Sequence, residues 1–161
     1  MSADPKELWQ RYITEVWNQG HMEMIDELIH EDFIDHTPTG DQEHGRNGIK
    51  WFVNMIRTAF PDVQGRIEHI ISQGDMVAVH LVFEGTHTGG ELFGIPATGK
   101  PIALKGLDIL QVEDGKLAHS WANFDQAGMM AQLGVIPQAG PGAVGAGAGG
   151  PGGGAPGGGA G

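Results

Sequence analysis

The feature that most restricts this chain is a set of four long runs in its second half, each separated from the next by turn or loop chemistry. "VQGRIEHIIS" at residues 63–72 is followed by the turn "QGD", and "MVAVHLVFEGTH" at 76–87 by a loop rich in glycine and proline at 88–101. "IALKGLDILQVE" at 102–113 is joined by "DGK" to "LAHSWANFD" at 117–125. Runs this long, rich in β-branched residues and separated by Gly-Asp turns, read as antiparallel strands. The first half has the other period. Asp4 is placed to cap a helix, with Pro5 at its first position and Glu7 able to close a capping box. Leu8, Tyr12, Ile13, Val16 and Trp17 then form one apolar stripe, ended by Gly20. A short second helix is expected over 22–28, a loop over "HEDFIDHTPTGDQEHGRNG", and a third helix over 49–60, stopped by Pro61. A last short helix is expected over 126–133, with Gly134 beyond it. Helices followed by long antiparallel strands predict an α+β fold, a curved sheet with helices on one face and a cavity between them.

Composition narrows the function. From Ala139 to Gly161 only glycine, alanine, proline and one valine occur, so this segment is expected to be a disordered tail behind a single domain of residues 1–138. The net charge of −11 falls on the remainder and argues against nucleic acid or an anionic membrane as partner. There is no cysteine, which removes disulfides, thiolate nucleophiles and thiol metal sites. The N-terminus lacks the apolar core of a signal peptide, and a cytoplasmic location is the default expectation.

The stretch "HSWANFD" carries the strongest chemical signal. Strict alternation puts His119, Trp121, Asn123 and Asp125 on one face. An acid, a base, an amide and an indole together suggest the wall of a ligand cavity. Asp125 there would be a general acid or base with a pKa raised by burial beside Trp121; the competing reading is an N-cap for the following helix. Asp108 interrupts the apolar run "GLDILQV", where a lone carboxylate must be paired or protonated. On strict alternation Asp108 and Gln111 face opposite ways. His36 and His80 are further candidates for positioning or polarising a carbonyl, with Asp35 available to orient His36, and His87 closes a strand beside a loop. The histidine spacings match no metal-ligand pattern, and His21, His30, His44 and His69 read as structural or surface groups, so no metal is expected. Nucleotide and nucleophile-elbow motifs are absent.

Taken together, "DFIDHTP", "AFPDV", "QGDMVAVHLVFEGTHTGGELFGIPATGKPI", "LDILQVEDGKLAHSWANFDQ" and "QLG" resemble the SnoaL-like polyketide cyclase family, over roughly residues 8–136. The resemblance implies the α+β cone of the nuclear-transport-factor-2-like superfamily, and a cofactor-free aldol ring closure on a small apolar substrate rich in carbonyls. It places the catalytic carboxylate at Asp125, the end of W-x-x-x-D, and a second polar group at Gln111, where the family has His or Arg. Many relatives have Arg where this chain has His80. Asp125, His36 and His80 are thus the expected catalytic residues. His119, Trp121, Asn123, Asp108, Gln111, Phe33, Trp17 and Phe52 are expected to bind substrate. Superfamily members often pair, so a homodimer or higher homo-oligomer is expected. A hydrolase, dehydratase or isomerase on the same cone, or a non-catalytic binder, are the rival classes.

Overall fold

The computed structural model describes residues 3–137; the glycine-rich segment expected to be a disordered tail lies outside the described residues. Helix α1 spans Pro5–Arg11, with the Asp4 side chain accepting from the Lys6 amide at 3.0 Å, and runs on without a break into a π-helical stretch, Tyr12–Asn18. The wider turn shows in the bond from Gln19 N to Thr14 O, five residues back, and Gly20 ends it at φ 79°. Such stretches are uncommon and gather at functional sites. Here the stretch presents both Tyr12 and Trp17 to the interior. Helix α2 (Met24–Leu28) follows, then strand β1 (Ile29–Asp35) and helix α3 (Arg46–Ala59). Strands β2 (Gln64–Gln73), β3 (Met76–Thr86), β4 (Pro101–Glu113) and β5 (Lys116–Phe124) form the antiparallel part of the sheet, and α4 (Gln126–Leu133) closes the fold. Among the described residues no helix is long and apolar enough to cross a membrane.

The sheet order is β1-β5-β4-β3-β2. Asp114 and Gly115 take φ of 51° and 74° in the β4–β5 turn, the left-handed pair that a two-residue Asp-Gly hairpin requires. One expectation fails. "HEDFID", read as the start of a loop, is the edge strand β1, and it pairs parallel with β5. Its acidic character resembles a loop because only Ile29 and Phe33 are fully buried along it. Its partner lies more than eighty residues away, so no local pattern announces it.

Helices cover one face of the curved sheet. Val77, Val79, Leu81 and Phe83 of β3, Leu110 and Val112 of β4 and Leu117 of β5 are buried beneath them. The opposite face carries Ile71 (70 % exposed), Leu107 (58 %) and Ile109 (42 %) into solvent.

Candidate active site

The chemistry is decided by one bulge in β5. Val112 pairs with Leu117, and the next β4 residue inward, Gln111, pairs with His119, so Ala118 is an extra residue on β5. A bulge advances one strand by a residue and reverses which side chains face the core. Leu117 points inward against Val112. Beyond the bulge the inward set is Ser120, Ala122 and Phe124, opposite Leu110, Asp108 and Gly106. Gly106 is required there, because an added methyl would fall inside the Phe124 ring.

Between these strands and the helices lies a cavity of about 110 Å³, lined by Trp9, Tyr12, Trp17, Ile29, Phe33, Phe52, Phe83, Leu110 and Phe124. Its polar lining is Asp35, Thr37, Thr39, Gln42, Asp108, Ser120 and Gln126. A second chamber of about 70 Å³ shares Trp17, Thr39, Phe52, Phe83, Phe124 and Gln126 with it. Thr37, Thr39 and Gln126 also line a surface depression, which puts the mouth between the loop after β1 and the start of α4.

Asp108 is the chemically distinctive group. It is only 9 % exposed, and its Oδ1 accepts from Ser120 Oγ at 2.8 Å. Loss of hydration pushes its pKa up from 3.8 to about 7; the Ser120 hydroxyl opposes this and the Asp35 charge adds to it. Asp35 faces the same cavity from β1, where it pairs with Ser120. Thr37 holds it through its amide and hydroxyl at 2.9 and 3.2 Å, and Gln42 Nε2 at 3.2 Å. Thr37 Oγ1 in turn accepts from the Ala122 amide at 2.9 Å, tying the carboxylate to β5. Burial drives the Tyr12 pKa upward, a hydrogen bond to Trp17 opposes it, and the charges of Asp108 and Asp35 reinforce it, so the phenol keeps its proton.

The structure brings Asp108, Trp17, Phe33 and Phe52 to this cavity and places the other expected site residues elsewhere. His119, Trp121 and Asn123 do share one face, but it is the outer face of the sheet, because beyond the Ala118 bulge the inward row is Ser120, Ala122 and Phe124. Asp125 is exposed; it caps α4, accepting from the Gly128 amide at 2.9 Å. Gln111 faces outward and donates to Asp75 Oδ2 at 2.9 Å. His36 stacks on Trp121 with ring centroids 4.4 Å apart and lies 3.1 Å from His119 Nδ1, while His119 Nε2 meets Glu113 at 3.2 Å. His80 pairs with Leu107 on the outer face and stacks on His69. His87 is buried, its ring held by Thr98 and the Gly90 carbonyl, and it pins the loop between β3 and β4. Among the described residues no group of three or more His, Asp or Glu side chains is arranged to hold a metal ion.

Sequence reasoning missed Ser120, Tyr12 and Trp9 altogether and saw Asp35 only as a partner for His36. The sequence carries no clean signal for this, because Leu107 and Ile109 make the outer row of β4 as apolar as the inner; only the burial pattern of the folded strand shows that Gly106, Asp108, Leu110 and Val112 share the core face.

An α+β cone with two carboxylates in a cavity walled largely by aromatic and aliphatic side chains invites comparison with proteins of the same shape. Residues 7–133 match the SnoaL-like polyketide cyclase family. The chain belongs to that family. Among its SnoaL-like relatives, the nogalonic acid methyl ester cyclase of Streptomyces nogalater is 31 % identical over 126 residues, covering 73 % of this chain and 89 % of that one. The aklanonic acid methyl ester cyclase DnrD of Streptomyces peucetius is 28 % identical over 131 residues, covering 77 % and 87 %. The crystal structure of wild-type IdmH from Streptomyces antibioticus superposes with a TM-score of 0.71 at 33 % identity, over 81 % of this chain and 99 % of that one. The SnoaL-like membership identifies the chain as an enzyme of the cyclase class built on this cone.

Proposed function

We propose that this SnoaL-like protein closes a ring by intramolecular aldol addition within a polyketide-like methyl ester, with Asp108 as the proton-transfer group. The observation that carries the proposal is a buried carboxyl whose pKa of about 7 lies where a general base works best. The Asp108 carboxylate takes a proton from a carbon flanked by two carbonyls. The resulting enolate carbon attacks a ketone of the same chain, forming the new C–C bond, and the protonated Asp108 returns its proton to the alkoxide. Ser120 holds the carboxyl in place through its 2.8 Å hydrogen bond, burial keeps the proton affinity of Asp108 high, and Asp35, fixed by Thr37 and Gln42, adds to it. Trp17, Phe33 and Phe52 press the flexible chain into a reactive fold, a positioning effect that reaches about 7–11 kcal/mol in favourable cases. No cofactor or metal enters this scheme.

The named activities of the relatives support the same reading, and they supply the probes. The purified protein, incubated with nogalonic acid methyl ester or aklanonic acid methyl ester, should form a product of unchanged mass and shifted retention, because aldol closure is an isomerisation. Ring closure no faster than in buffer, or undiminished in Asp108→Asn, would refute the proposal.

We further infer that a second copy of the chain covers the outer sheet face, and that the enzyme works in the cytoplasm. The support for pairing is that Ile71, Leu107 and Ile109 are left in solvent on one face, with Ile109 paired across the strands to Trp121.

A further inference from the structure

Leu92 and Ile95 exchange two backbone hydrogen bonds, each 2.9 Å, so Phe93 and Gly94 are the central pair of a tight hairpin within the loop between β3 and β4. Both have positive φ, 48° and 81°, the mirror-image turn for which Asn-Gly is the favoured pair. Gly94 suits it. Phe93 does not, because its Cβ crowds the backbone in the left-handed region and its side chain has no polar atom to bond the turn. Burial does not explain the choice either. Leu92 beside it is fully buried and anchors the loop, whereas Phe93 remains 43 % exposed. A bulky residue held in a strained conformation, where asparagine would suit the turn better, has a role outside the turn.

The ring lines the second chamber, of about 70 Å³. Of the apolar residues around that chamber, Phe93 is the one most open to solvent, so it forms the outer wall. A methyl group on Gly40 would stand 3.7 Å from its Cε1, so the ring reaches across to the loop after β1. The part of the chamber not shared with the Asp108 cavity is wholly apolar, with Phe60, Val63, Ile102, Leu104 and Met129 facing Phe93's side of it. Its polar lining, Thr39 and Gln126, also lines the Asp108 cavity and the depression at the mouth, so one molecule entering there reaches both chambers. No titratable side chain lines the second chamber, which leaves it binding rather than proton transfer. Water inside has few polar partners, and an apolar group displaces it favourably. The space is several times what one water needs, which suits a short alkyl chain or a single ring. Resting on the cyclase reading above, we propose that this chamber receives an apolar substituent of the substrate, remote from the carbons that react at Asp108, and that Phe93 is the specificity-determining residue that closes over it. The substrate class is thereby narrowed to carbonyl compounds with a short alkyl or aryl arm.

Two replacements in the full chain separate the turn from the wall. Phe93→Asn suits the left-handed turn and removes the apolar wall; Phe93→Leu keeps an apolar wall and suits the turn no better than phenylalanine. The probes are aryl alkyl ketones of increasing chain length, acetophenone to hexanophenone, with binding read from quenching of tryptophan fluorescence, since Trp17 lines both chambers. Native affinity should rise roughly fourfold per added methylene until the chamber is full, then level off. The rise should be largely lost in Phe93→Asn and kept in Phe93→Leu. With nogalonic acid methyl ester, Phe93→Asn should raise KM about tenfold and leave kcat within about threefold, as expected of a group that binds and does not react. A native affinity that does not rise with chain length, equal rises in the native chain and Phe93→Asn, or a rise lost in both variants overturns the role of Phe93, as does a KM within twofold of native in Phe93→Asn. Absence of ring closure by the native chain overturns the cyclase reading instead, and the ketone series then decides Phe93 alone.

Discussion

Replacing Asp108 by asparagine separates charge from shape at the centre of the cavity. Asparagine keeps the volume, and its side-chain oxygen can still accept from Ser120, but it neither ionises nor carries a proton. In the folded chain the Asp108 carboxyl holds its proton up to about pH 7, whereas in the unfolded chain it releases it near 3.8. Between these values the folded state binds more protons than the unfolded one, so the native protein loses stability as pH rises through the window and levels off above it. At about 1.4 kcal/mol per pH unit, the rise from pH 5 to 7 costs about 3 kcal/mol, an effect the asparagine variant does not feel. The melting temperature of Asp108→Asn should therefore exceed that of the native chain by a margin that widens between pH 5 and 7 by roughly 10 °C and is constant at higher pH. Calorimetric scans at half-unit intervals, paired with turnover of nogalonic acid methyl ester at each pH, read both halves of the argument. Native kcat/KM should climb to a plateau above about pH 7, and the variant should retain on the order of one part in 10² to 10⁴ of it. A pH-independent difference in melting temperature would mean that Asp108 is ionised in the folded protein at low pH and that its burial does not tune it.

Ser120→Ala removes the hydroxyl that favours the charged form of Asp108, so the kinetic limb should move to higher pH; a limb that stays in place or moves down contradicts the assigned hydrogen bond. Asp125→Asn should be neutral in both stability and turnover, while Asp125→Ala should cost about 1 kcal/mol of stability with turnover within twofold, because the residue caps α4. A turnover loss of a hundredfold in Asp125→Asn would restore that carboxylate to the chemistry. Leu107→Lys combined with Ile109→Glu should convert a dimer to monomer in sedimentation velocity; a native chain that sediments as a monomer at all concentrations removes the pairing proposal.

Much of the architecture is written in local pattern. The Asp4-Pro5 start, the stripe from Leu8 to Trp17, the Asp-Gly turn at 114–115 and the long β-branched runs each follow from backbone and burial preferences spanning a few residues. They suffice for an α+β cone with helices on one face. They also turn Trp17 and Phe52 toward the core, since large apolar side chains on a helix stripe have little alternative. What lines the cavity between them was settled at longer range. β1 exists because the first half of β5 offers it a parallel partner, and only that pairing carries Asp35 to Ser120. The face of β5 depends on a single extra residue. Read outward from Leu117 by strict alternation, the strand turns His119, Trp121 and Asn123 inward; with Ala118 bulged it turns Ser120, Ala122 and Phe124 inward. The period of a strand is two, so one unpaired residue reverses every side chain beyond it, and no composition or spacing within β5 reveals the slip. It becomes visible only when β4 lies alongside and its uninterrupted buried row, Gly106 through Asp108 to Val112, sets which face is in.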